Sequence, residues 1–205
     1  SSRFAELPPY LFAEIDKKID AAKEKGVDII SLGIGDPDLP TPQPIVDEMV
    51  EAVKRAENHN YPPYQGTKDF LQTAANWMET RFGVAIDPKT EALSLIGSKE
   101  GLAHTILAYI EPGNVVLVPS PAYPVYSNYT KLCGGEVYTV PMLPENNYLP
   151  DLDAIPIHMA KRAKLLFLNY PNNPTGAIAT EDFIKKCVDY CKAHDILLLS
   201  LIHIS

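Results

Sequence analysis

From residue 92 onward, short apolar runs alternate with helix-length amphipathic segments, and this alternation constrains the fold more than any other feature of the sequence. The apolar runs Ala92–Ile96, Val115–Val118, Glu136–Val140, Lys164–Leu168 and Ile196–Leu199 read as strands. Between them, Ser98–Ile110, Tyr123–Leu132, a short piece around Leu152–Ala160, and Thr180–His194 read as helices. Apolar strands separated by helices are βαβ units, because parallel neighbours need a crossover, and their strands are buried on both faces. The expectation is an α/β fold with a mainly parallel sheet.

The first part of the chain reads differently. Pro8-Pro9 precedes a helical run from Tyr10 to Lys25 with Leu11, Ile15 and Ile19 as its apolar stripe, and Gly26 stops it. Val27–Leu32 is a short strand or extended piece, followed by the turn-rich stretch Gly33 to Pro42. Pro44 suits the first turn of a helix running to about Glu57, with Ile45, Met49 and Val53 on one face. A helix from Thr67 to Phe82 is expected to turn Phe70, Ala74, Trp77 and Met78 to the core.

Three motifs fall where strands end and helices begin, the edge of an open α/β sheet where ligands bind. Ile96-Gly97-Ser98-Lys99-Glu100-Gly101 could place a phosphate on helix N–H groups; the plainer reading is an N-cap by Ser98. Neither a G-x-x-x-x-G-K-[ST] loop nor a G-x-G-x-x-G fingerprint is present. Pro121-Ala122-Tyr123-Pro124-Val125-Tyr126 offers an aromatic to stack on a flat ring; alternatively Tyr123 and Tyr126 pack on the sheet. Asn169-Tyr170-Pro171-Asn172-Asn173-Pro174-Thr175-Gly176 holds an Asn amide in a proline-fixed turn, or is a connector alone. Anchor, stacker and amide together suit a flat phosphorylated aromatic cofactor, and both flavin mononucleotide and pyridoxal phosphate answer that description.

Composition narrows the partners. Of 205 residues, 46% are apolar and 21% charged, enough for a sizeable core. A formal charge of −8 argues against nucleic acid and anionic membranes, and no apolar run reaches the roughly 20 residues that span a bilayer. Cys133, Cys187 and Cys191 form no C-x-x-C and the histidines are scattered, so a reduced cytoplasmic setting is expected and no zinc site. Ser1-Ser2-Arg3-Phe4 reads as a clipped start.

The ordered set Gly35-Asp36-Pro37, Tyr61-x-x-x-x-Gly66, Gly97-Ser98-Lys99, Pro121-Ala122-Tyr123 and Asn172-Asn173-Pro174-Thr175-Gly176 resembles the pyridoxal-phosphate aminotransferases of fold type I, classes I and II. Pro8-Pro9-Tyr10-Leu11-Phe12-Ala13-Glu14-Ile15 and Pro121 to Tyr126 are most similar to their LL-diaminopimelate subgroup. The resemblance runs from about Phe4 to Ser200. It implies a three-layer αβα sandwich, a homodimer, and transamination between an amino acid and a 2-oxo acid, in lysine biosynthesis if the subgroup holds. It implies that Ser98 and Lys99 cradle the phosphate of pyridoxal 5′-phosphate, Tyr123 stacks on its ring, and Asn173 donates to its phenolic oxygen. Tyr61, with Tyr64 as its near alternative, would reach the phosphate across the dimer, and Gly35 and Tyr10 would face substrate. The Asn173-Pro174-Thr175-Gly176 motif also resembles that of carbon–sulfur lyases and aminocyclopropane-carboxylate synthases, which is the second reading, and a non-catalytic remnant is the third.

The match breaks after Ser200. The family continues Ser-Asp-x-x-Tyr, whereas Leu201 and Ile204 stand at the Asp and Tyr positions here. Leucine cannot balance a pyridinium charge. The lysine that bonds the cofactor, the acidic partner of its ring nitrogen and the arginine for the substrate carboxylate are not identifiable. Expected divisions are therefore 1–40, an arm and small-domain segment; 41–200, an incomplete large cofactor-binding domain; and 201–205, a non-native tail. A chain so divided is expected to lack activity alone, and to be insoluble or molten, because the strand at Ala92–Ile96 would want a partner from further sequence.

Overall fold

The computed structural model describes residues 2–5, 7–8, 11–32 and 39–201. Its helices are α1 (Ser2–Ala5), α2 (Leu11–Lys23), α3 (Gln43–Lys54), α4 (Lys68–Phe82), α5 (Ser98–Tyr109), α6 (Val125–Leu132), α7 (Ile157–Ala160) and α8 (Glu181–His194), and its strands are β1 (Val115–Ser120), β2 (Glu136–Pro141), β3 (Ala163–Asn169) and β4 (Leu197–Leu201). Two compact units divide the chain, one of residues 1–7 and 95–205, the other of residues 8–94. No helix among the described residues is long and apolar enough to cross a membrane.

In the larger unit, four strands form a parallel sheet in the order β2-β1-β3-β4. The central strands are buried along nearly their whole length, as expected where helices cover both faces. Alternate residues serve different layers. Val116 and Val118 of β1 and Leu165 and Phe167 of β3 pack with Leu102 and Ile106 of α5 and Tyr126 of α6. Val115 and Leu117, with Leu166 and Leu168, pack on the opposite face with Cys187 and Cys191 of α8 and with Leu152 and Ile155. The result is helix, sheet, helix: the three-layer αβα architecture. A bulge between Val115 and Val116 keeps these faces in step: Val115 stands opposite Ala163 and Val116 opposite Leu165, so Lys164 is the extra residue.

Local chemistry sets the helix ends. Thr180 caps α8, its hydroxyl accepting the Phe183 N–H at 3.2 Å, and Asp195 closes it in the left-handed region at φ +55°. Glu181 and Asp182 in the first turn and Lys192 and His194 in the last complement the helix dipole.

The smaller unit contains α2, α3, a 3₁₀ turn at Ala56–His59, and α4. Thr67 caps α4 through the Phe70 N–H, and Gly83 ends it at φ +68°. Gly66 lies at φ +106° with its α-carbon against Ser94, where a side chain would strike Ser94 directly. The Ser94 N–H donates to the Gln65 carbonyl at 2.8 Å, fastening the same contact.

Several expectations are corrected. Ala92–Ile96, expected as a strand in want of a partner from further sequence, joins no ladder among the described residues and is not assigned as a strand, and Leu93, Leu95 and Ile96 are exposed. Of the two forms expected for Val27–Leu32, the strand is not formed, and the helix from Gln43 stops at Lys54 before the 3₁₀ turn. An apolar run becomes a strand only where a neighbour takes its N–H and C=O groups. On α4, Leu71 and Ala75 are buried while Phe70 and Trp77 are exposed. The apolar residues of α4 form one arc about 160° wide at 100° per residue, with Phe70 and Trp77 along one edge and Leu71 and Ala75 along the other; the second edge is the buried one, and Trp77 meets Phe82 edge-on with centroids 5.1 Å apart. None of Ile45, Met49 and Val53 is buried.

Candidate active site

The strand order places a topological switch point between β1 and β3. From β1 the chain moves outward to β2, then crosses back to β3 and proceeds the other way to β4. Loops leaving the carboxyl ends of β1 and β3 therefore diverge and leave a crevice, where ligands bind in open α/β sheets. The loop after β1 is Pro121-Ala122-Tyr123-Pro124; that after β3 is Tyr170 to Gly176. The Ser120–Pro121, Tyr170–Pro171 and Asn173–Pro174 peptides are cis.

Tyr123 is half-buried in the first loop. Its ring meets Tyr126 edge-on at 6.0 Å, and Tyr126 stacks nearly parallel on Phe167 of β3 at 4.4 Å. The exposed part of Tyr123 is thus backed by an aromatic column seated on the sheet, which holds its plane. The Tyr126 hydroxyl is buried without a hydrogen-bond partner among the described residues, and burial pushes it up to about 12, with Tyr123 adding to the rise.

Lys99 links this loop to α5. Its Nζ lies 5.7 Å from the Tyr123 ring centroid, within cation–π range. Lys99 and Ser98 occupy the first turn of α5, with both side chains exposed. Ser98 does not cap the helix. Gly97 holds the cap position at φ +79°, no side chain caps the helix, and a Cβ on Gly97 would meet nothing within 4 Å. The left-handed backbone, rather than crowding, is what calls for glycine there. Glu100 turns back to accept the Ile96 N–H, which leaves the Ser98 end of the helix open. Because Ala92–Ile96 is not a strand, the site is built from two strand ends and one helix N-terminus, not from three strand ends.

In the loop after β3 the adjacent asparagines divide their work. Asn172 is buried: its side-chain amide donates to Thr175 Oγ1 at 2.8 Å, its carbonyl accepts the Gly176 N–H at 2.7 Å, and its own N–H donates to the Ala177 carbonyl at 2.8 Å. Asn173 is exposed, and its side-chain amide has no hydrogen-bond partner among the described residues. Asn172 therefore builds the turn, and Asn173 keeps a side-chain donor and acceptor unspent. Tyr170 steadies the loop from behind, its hydroxyl donating to the Tyr148 carbonyl at 2.9 Å; burial raises that hydroxyl's pKa far above its ordinary value.

Tyr61 and Tyr64 are exposed in the smaller unit. Tyr10 and Gly35 lie outside the described residues. A helix N-terminus and a lysine ammonium favour an anion, a braced aromatic face suits a flat ring, and an unspent amide suits a polar ring substituent. The residues present thus fit a planar ring bearing a phosphate. Sequence reasoning passed over Asn169, which buries a polar side chain at the end of β3; its place four residues before Asn173 was the available signal.

The model of the family described as aminotransferase class I and II matches residues 27–200. An LL-diaminopimelate aminotransferase 2 from Trichormus variabilis is 53% identical over 199 residues, covering 97% of this chain and 51% of its own length. Among solved structures, an aspartate aminotransferase from Thermotoga maritima matches with a TM-score of 0.89 at 30% identity, over 98% of this chain and 53% of that one. A probable N-succinyldiaminopimelate aminotransferase from Thermus thermophilus matches at 0.87 and 38% identity, over 93% and 51%. The chain spans about half the length of the curated relatives it matches. The family model over residues 27–200, with these likenesses in sequence and fold, shows that the chain belongs to the class I and II aminotransferases of fold type I.

Proposed function

We propose that this chain is the amino-terminal half of a pyridoxal-phosphate-dependent aminotransferase that moves an amino group between an amino acid and a 2-oxo acid, with LL-diaminopimelate as the amino-acid substrate. The observation that carries the reading is the placing of Lys99 against Tyr123, where an open helix N-terminus meets the loop after β1, beside the strand whose loop presents Asn173. The LL-diaminopimelate aminotransferases among the relatives support the choice of substrate.

Each residue then has a task. Ser98, Lys99 and the first turn of α5 hold the phosphate; Tyr123 supports one face of the ring; the Asn173 amide donates to the ring's phenolic oxygen. Tyr61 reaches the phosphate from the second subunit of a homodimer, and Gly35 and Tyr10 face the substrate. The bound cofactor supplies an aldehyde to take the amino group and a ring to accept electrons. The lysine that bonds it, the acid facing its ring nitrogen and the arginine for the substrate carboxylate are not identifiable among these residues, so the 205-residue chain by itself does not transaminate. Work in the cytoplasm agrees with three cysteines that form no disulfide.

The test uses the full-length protein. Apo-protein titrated with pyridoxal 5′-phosphate should show a saturable absorbance change, weakened by Tyr123→Ala and by Asn173→Ala. Supplied with LL-diaminopimelate, aspartate or alanine and a 2-oxo acid, it should transaminate fastest with LL-diaminopimelate. Release of a thiol product from a sulfur amino acid at a higher rate would assign a carbon–sulfur lyase instead, and absence of cofactor binding would remove the proposal.

A further inference from the structure

We propose that Asn169 is a positioning residue for the cofactor ring: its side-chain amide joins the backbone of Asn173 to the end of β4 and so sets where the Asn173 amide stands. The inference rests on the reading of Asn173 given above. Asn169 is the last residue of β3 and is only 7% exposed. Its Oδ1 accepts the Asn173 N–H at 3.0 Å, and its Nδ2 donates to the Leu201 carbonyl at 3.2 Å. Leu201 is also its ladder partner in β4. One buried amide thus spans the site loop and the neighbouring strand.

Its orientation follows from the groups it faces. A flipped amide would set NH₂ against the Asn173 N–H and carbonyl against the Leu201 carbonyl, losing both bonds. The Leu201 bond uses a main-chain oxygen, so the clamp does not depend on the side chain at position 201. The turn itself does not depend on Asn169, since its closing bonds run through Asn172, Thr175, Gly176 and Ala177. Removing the Asn169 side chain therefore leaves the turn closed and frees Asn173 to move within it. That separation distinguishes a positioning role from a merely structural one.

The experiment measures binding of pyridoxal 5′-phosphate to the full-length apo-protein by absorbance titration, and thermal unfolding without cofactor. The variants are Asn169→Ala, Asn169→Asp, Asn173→Ala and the Asn169→Ala/Asn173→Ala double. Loss of one net hydrogen bond predicts about tenfold weaker binding for Asn169→Ala. The double variant should bind about as Asn173→Ala does, because both changes act on one contact. Asn169→Asp keeps the acceptor for the Asn173 N–H and should stay within about threefold of the parent, even where it unfolds at lower temperature. If Asn173→Ala weakens binding while Asn169→Ala does not, or if the two effects multiply in the double variant, the inference is overturned and the reading of Asn173 stands. If Asn173→Ala itself binds as the parent does, the reading of Asn173 fails, and the clamp with it. Should Asn169→Ala fail to fold, the Asp variant decides: a loss of tenfold or more with the acceptor retained refutes the route through Asn173.

Discussion

Two tyrosines beside the crevice should respond to loss of their hydroxyls with opposite signs. Tyr126 is 1% exposed, its ring lies flat on Phe167, and its hydroxyl has no partner among the described residues. Burying an unpaired hydroxyl costs roughly 1–3 kcal/mol. Tyr126→Phe removes that cost and keeps the ring. The void left by one oxygen, on the order of 10–15 Å³, returns about 0.3 kcal/mol at ~24 cal/mol per Å³. The net expectation is stabilisation by about 1 kcal/mol. That is an upward Tm shift of roughly 2–4 °C in a chain of this length, and about half that in a protein twice as long. Tyr170 is the internal control: its hydroxyl donates to the Tyr148 carbonyl at 2.9 Å, so Tyr170→Phe should destabilise by about 1 kcal/mol. Both are read by thermal unfolding of the full-length apo-protein at matched concentration. A loss of 1 kcal/mol or more in Tyr126→Phe would mean that its hydroxyl has a partner after all and would refute the reasoning. A gain in Tyr170→Phe would do the same for the control.

Other consequences are as open to measurement. Thr180→Ala removes the acceptor for the Phe183 N–H and should cost about 1 kcal/mol in denaturant unfolding, recovered by Thr180→Ser. Burial raises the Cys187 thiol from its ordinary 9.0 to about 12 and Cys191 to about 11, whereas Cys133 is only half-buried. A thiol reagent near neutral pH should therefore label Cys133 first in native protein, and all three only on unfolding. The same shifts fix a sign. Above pH 9 the unfolded chain loses thiol protons that the folded chain keeps, so stability present below pH 9 falls as pH rises towards 11–12, and Cys187→Ala should flatten that slope in alkaline denaturant titrations.

Legibility in the sequence followed the kind of interaction involved. β1 and β3 were plain because strands buried on both faces need unbroken apolar residues, and Val115–Val118 and Leu165–Leu168 supply them. The cap at Thr180 and the stop near His194 were plain because their chemistry is local. Ala92–Ile96 was legible as an apolar run in want of a partner, and among the described residues it joins no ladder. Phe70 and Trp77 misled because one wide apolar arc leaves open which of its edges is covered, and here it is the edge of Leu71 and Ala75. In the site, Tyr123 and Asn173 were legible as residue types at strand ends. The division of labour between Asn172 and Asn173 was not, nor was the part of Asn169, since both depend on which hydrogen bonds are spent within the turn.

The bulge at Lys164 gives the sheet something like a reading frame. Along β3, residue parity decides which layer a side chain joins, so deleting any one residue from Leu165 to Leu168 would send those before it to the wrong layer or drag the Asn169 loop out of phase. Lys164 is the exception. It is the supernumerary residue, and removing it would leave Ala163 opposite Val115 and Leu165 opposite Val116 as they now stand. A single-codon deletion there is a silent frame correction, while the same deletion two positions later is a frameshift in space.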